Sequence, residues 1–403
     1  MHHINHTSRR SLTPLYCLHQ AAYFFSMAGI SAFAVTYLMT RGFGAAQIGV
    51  MLAMTNILSC ILQPVIGSHV DRTSVSLLQK IIPAFLIAAF LALFCVELLR
   101  LPLAVTGLLY IAGYLSFSIT LPLFNPLCAH YAKNGWHINY GAGNGTGSLS
   151  FSFASLGFGY IIAGLGTRAM MLVVMFFIGV QLLIVLRYPK VADAAPASGA
   201  HSVQSLSVSA FACRYRFFMA TMIGVMCLAA CHAMAENYLI QIFERIGGGS
   251  ENVGVALFLA CITAAPFMIF FERIQKKTGV IILLRLCGVF YIVKAALLVA
   301  APSIVSVYLI ELLQTCTYAF LYPSLYYLVV QRISSEDMAK GQTLASSIFT
   351  LGMALGNSLG GVAIERLGLS VMLIIAACIA IAGTLLINAV ISRPDIAPGT
   401  QTP

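Results

Sequence analysis

Long apolar stretches separated by short polar turns make up most of the chain. A helix needs roughly 20 apolar residues, at 1.5 Å each, to cross a bilayer core about 30 Å thick. The pattern predicts twelve such helices, at residues 15–39, 48–68, 81–99, 103–122, 145–166, 170–186, 217–243, 253–271, 281–300, 304–330, 343–363 and 370–391. The predicted fold class is therefore an all-α polytopic membrane protein.

The opening pattern of the chain recurs about halfway along. It consists of an apolar helix, a glycine-containing turn and a second apolar helix that ends at a charged stop. A shift of 205 positions superposes Gly42 on Gly247, Gly44 on Gly249, Gly49 on Gly254, Val50 on Val255 and Leu52 on Leu257. The repeat predicts two six-helix bundles related by a pseudo-twofold axis, an arrangement typical of transporters.

A polar stretch at residues 188–216 separates the two halves. It contains Pro196, Gly199 and scattered Ser, Gln and His, a composition typical of a flexible, solvated linker. The predicted organisation is an N-terminal bundle at residues 1–187, this cytoplasmic linker, and a C-terminal bundle with a short tail at residues 217–403.

Composition and charge agree with this interpretation. Hydrophobic residues make up 60% of the chain and charged residues 8%, whereas about a quarter of a soluble protein is charged. The net charge of +10 would indicate nucleic-acid binding in a soluble protein. Here sixteen of the 22 Lys and Arg residues fall in predicted cytoplasmic segments and five in outer segments, the bias expected of membrane topology. We expect a lipid bilayer and no nucleic acid as partner, with both termini cytoplasmic in a bacterial inner membrane.

No pattern of catalysis or cofactor binding is present. The eleven cysteines contain no C-x-x-C pair, and most lie singly in apolar stretches, where Cys acts as a small hydrophobe. The glycines at residues 141–147 superficially resemble a phosphate-binding loop but lack the preceding strand that a dinucleotide motif requires. We predict no metal, no cofactor and no enzymatic activity.

Small residues at intervals of four predict close helix packing. Membrane helices associate through close backbone approach, which small residues permit. Such faces carry Gly352, Gly356 and Gly360 in the eleventh helix, and Ser148 and Ser152 in the fifth. The alternative is that glycine is simply frequent in membrane helices.

Three charged residues lie at least six positions from either end of a predicted span: Glu236, Lys294 and Glu311. A charge within a bilayer costs about 2.5–3.5 kcal/mol even on lenient scales, so each is a functional candidate. Lys294 lies about 9 Å and Glu311 about 10 Å from the outer ends of consecutive antiparallel helices, so the two can pair. Such a pair is either a structural ion pair or a proton- or substrate-linked pair that breaks during transport. Glu97 is expected at the membrane interface near Arg100.

Two further patterns indicate candidate chemistry in the second half. His232 lies four residues before Glu236, on the same helix face, which suggests a proton relay or a buried core histidine. In the tenth helix a stripe with spacings of three and four predicts a solute-binding face, or equally a face packed in the bundle core. The stripe comprises Glu311, Gln314, Tyr318 and Tyr322, and Pro323 just beyond it is expected to break the helix.

Several short motifs carry a family likeness. They are Tyr23-Phe24-Phe25, the Gly-x-Gly turn, Gln47-Ile48-Gly49, Gln63-Pro64-Val65-Ile66-Gly67 and Asp71-Arg72. With these the chain resembles the major facilitator superfamily, in particular its lactose-permease-like, nucleoside and phenylpropionate permease-like branch. The resemblance implies alternating access, with Gly67, Asp71 and Arg72 as a cytoplasmic gate motif. It also implies that the first and seventh helices line the cavity, which makes Tyr23, Ser31, His232 and Asn237 candidate cavity residues.

The sequence departs from this branch at several functional positions. Ala142 and Asn144 stand where two arginines are expected, and Asn125, Ala265 and Gln314 replace two acids and a histidine. Lys294 does match the basic residue of the ninth helix. The resemblance therefore indicates the fold more strongly than the substrate.

We predict a monomeric secondary transporter that imports a small organic solute with protons. An uncoupled facilitator or an exporter of the same fold is the alternative within transport. A membrane sensor should carry a soluble output segment, for which the predicted linker is too short and too polar. A membrane-embedded enzyme should show a catalytic pair in a motif, which His232 and Glu236 alone do not supply.

Overall fold

A computed structural model describes residues 11–70, 75–190 and 207–393, and this part of the chain is almost entirely helical. Its α-helices are α1 (Thr13–Met27), α2 (Ala34–Thr40), α3 (Ala45–Val70), α4 (Val75–Leu98), α5 (Leu103–Lys133), α6 (Tyr140–Leu186), α7 (Val208–Arg214), α8 (Arg216–Asn237), α9 (Leu239–Arg245), α10 (Ser250–Ile269), α11 (Phe271–Thr278), α12 (Val280–Ala300), α13 (Ile304–Glu311), α14 (Tyr318–Arg332), α15 (Met338–Leu367) and α16 (Leu369–Val390). A π-helical segment, Ala28–Ala32, follows α1, and a 3₁₀ segment, Leu312–Thr315, follows α13. The all-α prediction is confirmed.

Ten helices of the described chain are long and apolar enough to cross a membrane, and a bent pair formed by Thr13–Ala32 and Ala34–Thr40 makes an eleventh span. The 47-residue α6 is interrupted at Gly166, where φ is 81° and ψ is 170°. This conformation is open to glycine but strained for residues with a Cβ. The break falls at the last residue of the predicted span 145–166, four positions before the predicted span 170–186. Counting the two sides of Gly166 separately gives twelve spans in the described residues.

The backbone reproduces the internal repeat found in the sequence. Phe33 caps the C-terminal end of the π segment that follows α1 (φ −101°, ψ 14°), and Tyr238, 205 residues later, caps α8 with φ −102° and ψ 19°. Gly42 and Gly247, which follow these helices, both have positive φ. The same local conformations thus recur at equivalent positions of the two halves.

The chain forms two compact units. The first comprises Met1–Tyr37 and Ile61–Pro196, and the second comprises Leu38–Cys60 and Ala197–Pro403. In the first unit, glycines of α6 receive large side chains of α1, because a Cβ on Gly143 or Gly147 would collide with Tyr16 or Phe24. The predicted packing residue Ser152 is buried, whereas Ser148 is exposed.

In the second unit, α15 packs on α8 along its glycines. A Cβ on Gly352 would meet Met226 and Ala229, one on Gly356 would meet the backbone of Ala230, and one on Gly360 would meet Tyr238. These three predicted packing residues therefore face a single neighbouring helix at backbone distance.

Two regions of the prediction fall partly outside the described residues. Asp71 and Arg72 lie there, and Gly67 lies in the last turns of α3, so the cytoplasmic gate motif stays a prediction. The final part of the predicted linker is helical, as α7. Arg214 at its end lies 3.2 Å from Asp337 Oδ2, which also accepts a hydrogen bond from the Tyr215 hydroxyl at 2.9 Å.

Candidate functional site

Two helices of the second unit are interrupted next to the buried charged residues of that unit. Helix α8 ends at Asn237, directly after Glu236. Helix α13 ends at Glu311, and the 3₁₀ segment and two further residues precede α14. Interrupted membrane helices mark binding sites in many transporters because they free backbone groups and redirect side chains. Pro323, expected to break this helix, instead lies inside α14, and the interruption precedes it.

Lys294 joins three polar side chains from three helices. Its ammonium donates to Glu311 Oε2 at 2.8 Å and to Gln314 Oε1 at 3.1 Å. It also forms a close hydrogen bond and ion pair with Glu236 Oε1. We call Glu236, Lys294, Glu311 and Gln314 the charged cluster.

The charged cluster is deeply buried and unevenly charged. Lys294 is 2% exposed and Glu311 is fully buried. With both carboxylates ionised, one ammonium faces two negative charges, which leaves an excess of one. Glu311 Oε1 is buried and has no hydrogen-bond partner among the described residues, although buried polar groups are normally satisfied. A buried ion pair offsets its desolvation only when its partners are balanced, so an added positive charge would stabilise this cluster.

Gln314 supports the cluster from the 3₁₀ segment. Its Oε1 accepts hydrogen bonds both from Lys294 and from the Thr317 hydroxyl, at 3.3 Å. The Gln314 amide oxygen is thereby directed at the ammonium group. The predicted solute-binding role of Gln314 thus coincides with a position inside the charged cluster.

A row of stacked rings adjoins the cluster. The His232 ring stacks on Tyr318 with centroids 5.0 Å apart, and Tyr318 stacks on Tyr322 at 5.7 Å with an interplanar angle of 12°. Phe349 of α15 contacts both tyrosines. The row, which we call the aromatic row, begins at buried His232 and ends at Tyr322, which is 50% exposed. Tyr322 is therefore the exposed end of the row.

The predicted relay between His232 and Glu236 is not formed by a direct hydrogen bond. Glu236 is bound to Lys294, and His232 Nδ1 has no hydrogen-bond partner in the part of the chain that the structure describes. Asn237, predicted to face the cavity, donates to Asn357 Oδ1 of α15. This bond joins α8 to α15 at the interruption of α8.

The two candidate cavity residues of the first unit, Tyr23 and Ser31, contact uncharged side chains. Tyr23 is 4% exposed and stacks on Phe117 at 4.8 Å. Ser31 lies in the π segment and is a hydrogen-bond partner of Tyr114. Glu97, expected at the interface near Arg100, is instead buried. It accepts a hydrogen bond from Tyr37 at 2.8 Å and lies 3.5 Å from Arg168.

Sequence reasoning brought Lys294 and Glu311 together by depth but missed the third charge. Glu236 and Lys294 are 58 residues apart and lie on helices that are not consecutive. Phe349 and Asn357 were also missed, because they look like ordinary members of a helix rich in small residues. Equal depth of Glu236 and Lys294 within their spans was the available signal for the third charge.

Known proteins resemble this chain along most of its length. The model of the MFS_1 like family matches residues 16–375. A maltose permease of Geobacillus stearothermophilus is 24% identical over 363 residues, which cover 88% of this chain and 85% of the permease.

Solved structures share the fold. The nucleoside transporter NupG has a TM-score of 0.79 at 15% identity, covering 94% of this chain and 99% of NupG. A POT family transporter in complex with a thioalcohol conjugated peptide has a TM-score of 0.68 at 14% identity, covering 93% of this chain and 95% of the transporter. These likenesses concern the fold. The family model covers most of the chain, so the chain belongs to the MFS_1 like family and is a multi-pass membrane transporter of the major facilitator type.

Proposed function

We propose that this transporter imports a small organic solute together with protons, across a bacterial inner membrane and as a monomer. Transport would follow alternating access, in which one helix bundle moves against the other around a fixed site. The proposal of proton coupling rests on one observation: the charged cluster contains two carboxylates, Glu236 and Glu311, but only one ammonium group, Lys294.

A proton is the simplest charge that balances this cluster. Glu311 is the better carrier, because its Oε1 is buried without a partner and can hold a proton while Oε2 still accepts from Lys294. Glu236 is the more exposed carboxylate, with 10% of its side chain accessible. Glu236 therefore stays paired with Lys294 as the ionised member. A proton that enters from an acidic exterior would be driven inward by about 2.3 kcal/mol per 100 mV.

The aromatic row supports a solute with an apolar ring face. Aromatic rings bind such faces by stacking, while a few polar groups orient the ligand. Tyr322 offers an accessible ring, and Tyr318 and His232 continue the row toward the charged cluster. The relatives carry names of ring-bearing solutes, maltose and nucleoside, which supports this class.

The experiment compares Glu311→Gln with the wild-type protein in proteoliposomes, using a panel of sugars, nucleosides and aromatic acids. We expect the variant to keep counterflow of the solute but to lose accumulation driven by an imposed pH gradient. Glu272→Gln is the matched control, because Glu272 is an exposed carboxylate that pairs only with Lys276 among the described residues.

Accumulation by Glu311→Gln at the wild-type level would refute Glu311 as the proton carrier. Wild-type protein that exchanges solute without responding to the pH gradient would be an uncoupled facilitator. Solute extrusion driven by the gradient would identify an exporter. The last two results contradict proton-coupled import.

A further inference from the structure

Four arginines of the second unit converge where α8 begins and where α14 and α16 end. Arg332, the last residue of α14, donates hydrogen bonds to the carbonyl oxygens of Ile391 and Arg393, which follow α16. The bond to Arg393 measures 2.7 Å. Arg285 of α12 donates from Nη2 to the Ser392 hydroxyl at 2.6 Å. Guanidinium groups from two helices thus hold the chain just after α16.

The guanidinium groups of Arg216 and Arg393 share one aromatic ring. Their Cζ atoms lie 4.8 Å and 5.7 Å from the ring centroid of Phe217. An aromatic face attracts a cation, so this ring holds two positive charges near each other. These two groups complete a set that we call the arginine cluster, which comprises Arg216, Arg285, Arg332 and Arg393.

The arginine cluster has no acidic partner in the described chain. None of its members forms an ion pair with a described carboxylate, and at the same end of the unit Asp337 and Glu272 pair with Arg214 and Lys276. Arg285 Nε is buried and has no hydrogen-bond partner within the described ranges. Like charges at one site repel one another, so an anion bound to the cluster would offset this repulsion.

An exposed apolar surface adjoins the cluster on α12. Ile282, Leu286 and Val289 are all exposed, and their spacings of four and three residues place them on one helix face. Arg285 lies beside this stripe, more than one turn inside a membrane-spanning helix. A basic side chain at such a position extends along the apolar surface toward the headgroup region. Acyl chains and a headgroup can therefore contact the protein here together.

We propose that the arginine cluster binds the phosphate of an anionic phospholipid whose acyl chains lie along the stripe of Ile282, Leu286 and Val289. A guanidinium group gives two parallel hydrogen bonds to a phosphate, which a lysine cannot. Basic pockets between membrane helices on the cytoplasmic side bind anionic headgroups, and the charge bias of the sequence predicts that this end is cytoplasmic. Inorganic phosphate offers the same charge but makes no use of the apolar stripe.

This lipid site is separate from the charged cluster. Arg216 and Glu236 lie at opposite ends of α8, about 30 Å apart at 1.5 Å per residue. The inference depends neither on proton coupling nor on the direction of transport, so either proposal can fail while the other holds.

The test uses the full-length protein, reconstituted with one tryptophan beside the cluster. Trp136→Phe removes the single native tryptophan, and Leu286→Trp supplies the reporter. Brominated phosphatidylglycerol, added to phosphatidylcholine bilayers, quenches the fluorescence of a tryptophan that it contacts, and brominated phosphatidylcholine is the reference. We expect phosphatidylglycerol to bind at this reporter about 25-fold more tightly, since each of two exposed arginines contributes about a factor of five.

A double variant removes the two exposed charges of the cluster. Arg216→Gln with Arg393→Gln should reduce the preference for phosphatidylglycerol about 25-fold, to near that of phosphatidylcholine. Neither guanidinium group donates a hydrogen bond to a described residue, so the melting temperature should be unchanged.

The matched control is Arg273→Gln with Lys277→Gln. These residues are two exposed cations of α11 at the same end of the unit, and Arg273 likewise lies over a phenylalanine ring. The control should retain the preference for phosphatidylglycerol. An equal loss in both double variants would overturn a specific site.

A second reporter and a competing anion test the identity of the ligand. Val305→Trp lies at the opposite end of the unit, at the start of α13, and should show no preference for phosphatidylglycerol. Equal preference at both reporters would mean general attraction of anionic lipid to a basic protein and would refute the cluster as the site. Sodium phosphate should displace phosphatidylglycerol no more than sodium chloride at equal ionic strength. Greater displacement by phosphate, or no preference at the first reporter, would contradict the lipid site.

Discussion

The two units share a backbone plan but differ in the chemistry at equivalent positions. Both interrupt their first long helix at the same point, Phe33 in one and Tyr238 in the other. Beside the first break, Ser31 contacts Tyr114 in an uncharged setting. Beside the second, Glu236 enters a cluster with two other charges. The comparison teaches that the repeat retains the architecture, whereas among the described residues the charged cluster beside the helix break occurs only in the second unit.

Buried acids further distinguish the units. Among the described residues of the first unit the buried carboxylate is Glu97, near the end of α4, where Tyr37 and Arg168 bind it. The second unit places Glu311 deep within a span, beside an ammonium that it shares. A carboxylate near the end of a membrane span can be solvated by water. A carboxylate deep within a span must instead be neutralised by a proton or a cation.

The largest expected effect comes from Lys294→Met. It leaves two carboxylates close together without a cation, and breaking a buried pair in this way costs about 3–5 kcal/mol. We expect a large fall in the melting temperature of the detergent-purified protein. The triple variant that adds Glu236→Gln and Glu311→Gln should recover most of the loss. Equal stability of Lys294→Met and the wild-type protein would contradict the argument that Lys294 stabilises the two buried carboxylates.

The next largest effect is a loss of stability when an alanine replaces a glycine at a helix contact, and it is compared between the two units. Gly356→Ala directs a methyl at the backbone of Ala230, which cannot move aside, so we expect a cost of about 1–3 kcal/mol. Gly147→Ala in the first unit meets only the ring of Phe24, which can rotate, and should cost less. Gly157→Ala has open space and serves as the control. Thermal melts should rank the three in this order, and the reverse order would refute the packing argument.

The smallest effect concerns the aromatic row. Tyr322→Leu removes the accessible ring, and loss of one stacking contact is worth about 0.5–1.5 kcal/mol. We expect the solute affinity to fall about two- to twelvefold while the melting temperature is unchanged. Tyr326→Leu is a matched control, because Tyr326 is 56% exposed on the same helix but outside the row. An equal loss in both variants would argue against a ring-binding site.

Much of the fold could be predicted because membrane spans are a local property. Hydropathy located the break at Gly166 to within a few residues, since the apolar stretch and the glycine are both visible in the sequence. Helix ends were less accurate. Helix α6 begins at Tyr140, five residues before the predicted start, because Asn139 caps it by accepting from the Ala142 N–H at 3.0 Å. Hydropathy reports the membrane boundary and does not report the cap.

The candidate site was predicted in part. Depth along consecutive helices was enough to pair Lys294 with Glu311. It could not assign Glu236 to Lys294 rather than to His232, because that choice depends on helix rotation and on the interruption at Leu312–Thr315. The hydrogen bond from Asn237 to Asn357 could not be predicted for the same reason.

By itself the sequence determined the class of protein, the approximate spans, the repeat and the residues whose burial requires an explanation. These follow from the cost of placing polar groups in a bilayer, which acts on each segment separately. Only the tertiary structure decided that one ammonium serves two carboxylates, that His232 joins an aromatic row, and that Glu365 binds the start of α3. Those contacts join residues far apart in the chain, and their formation depends on how whole helices rotate and pack.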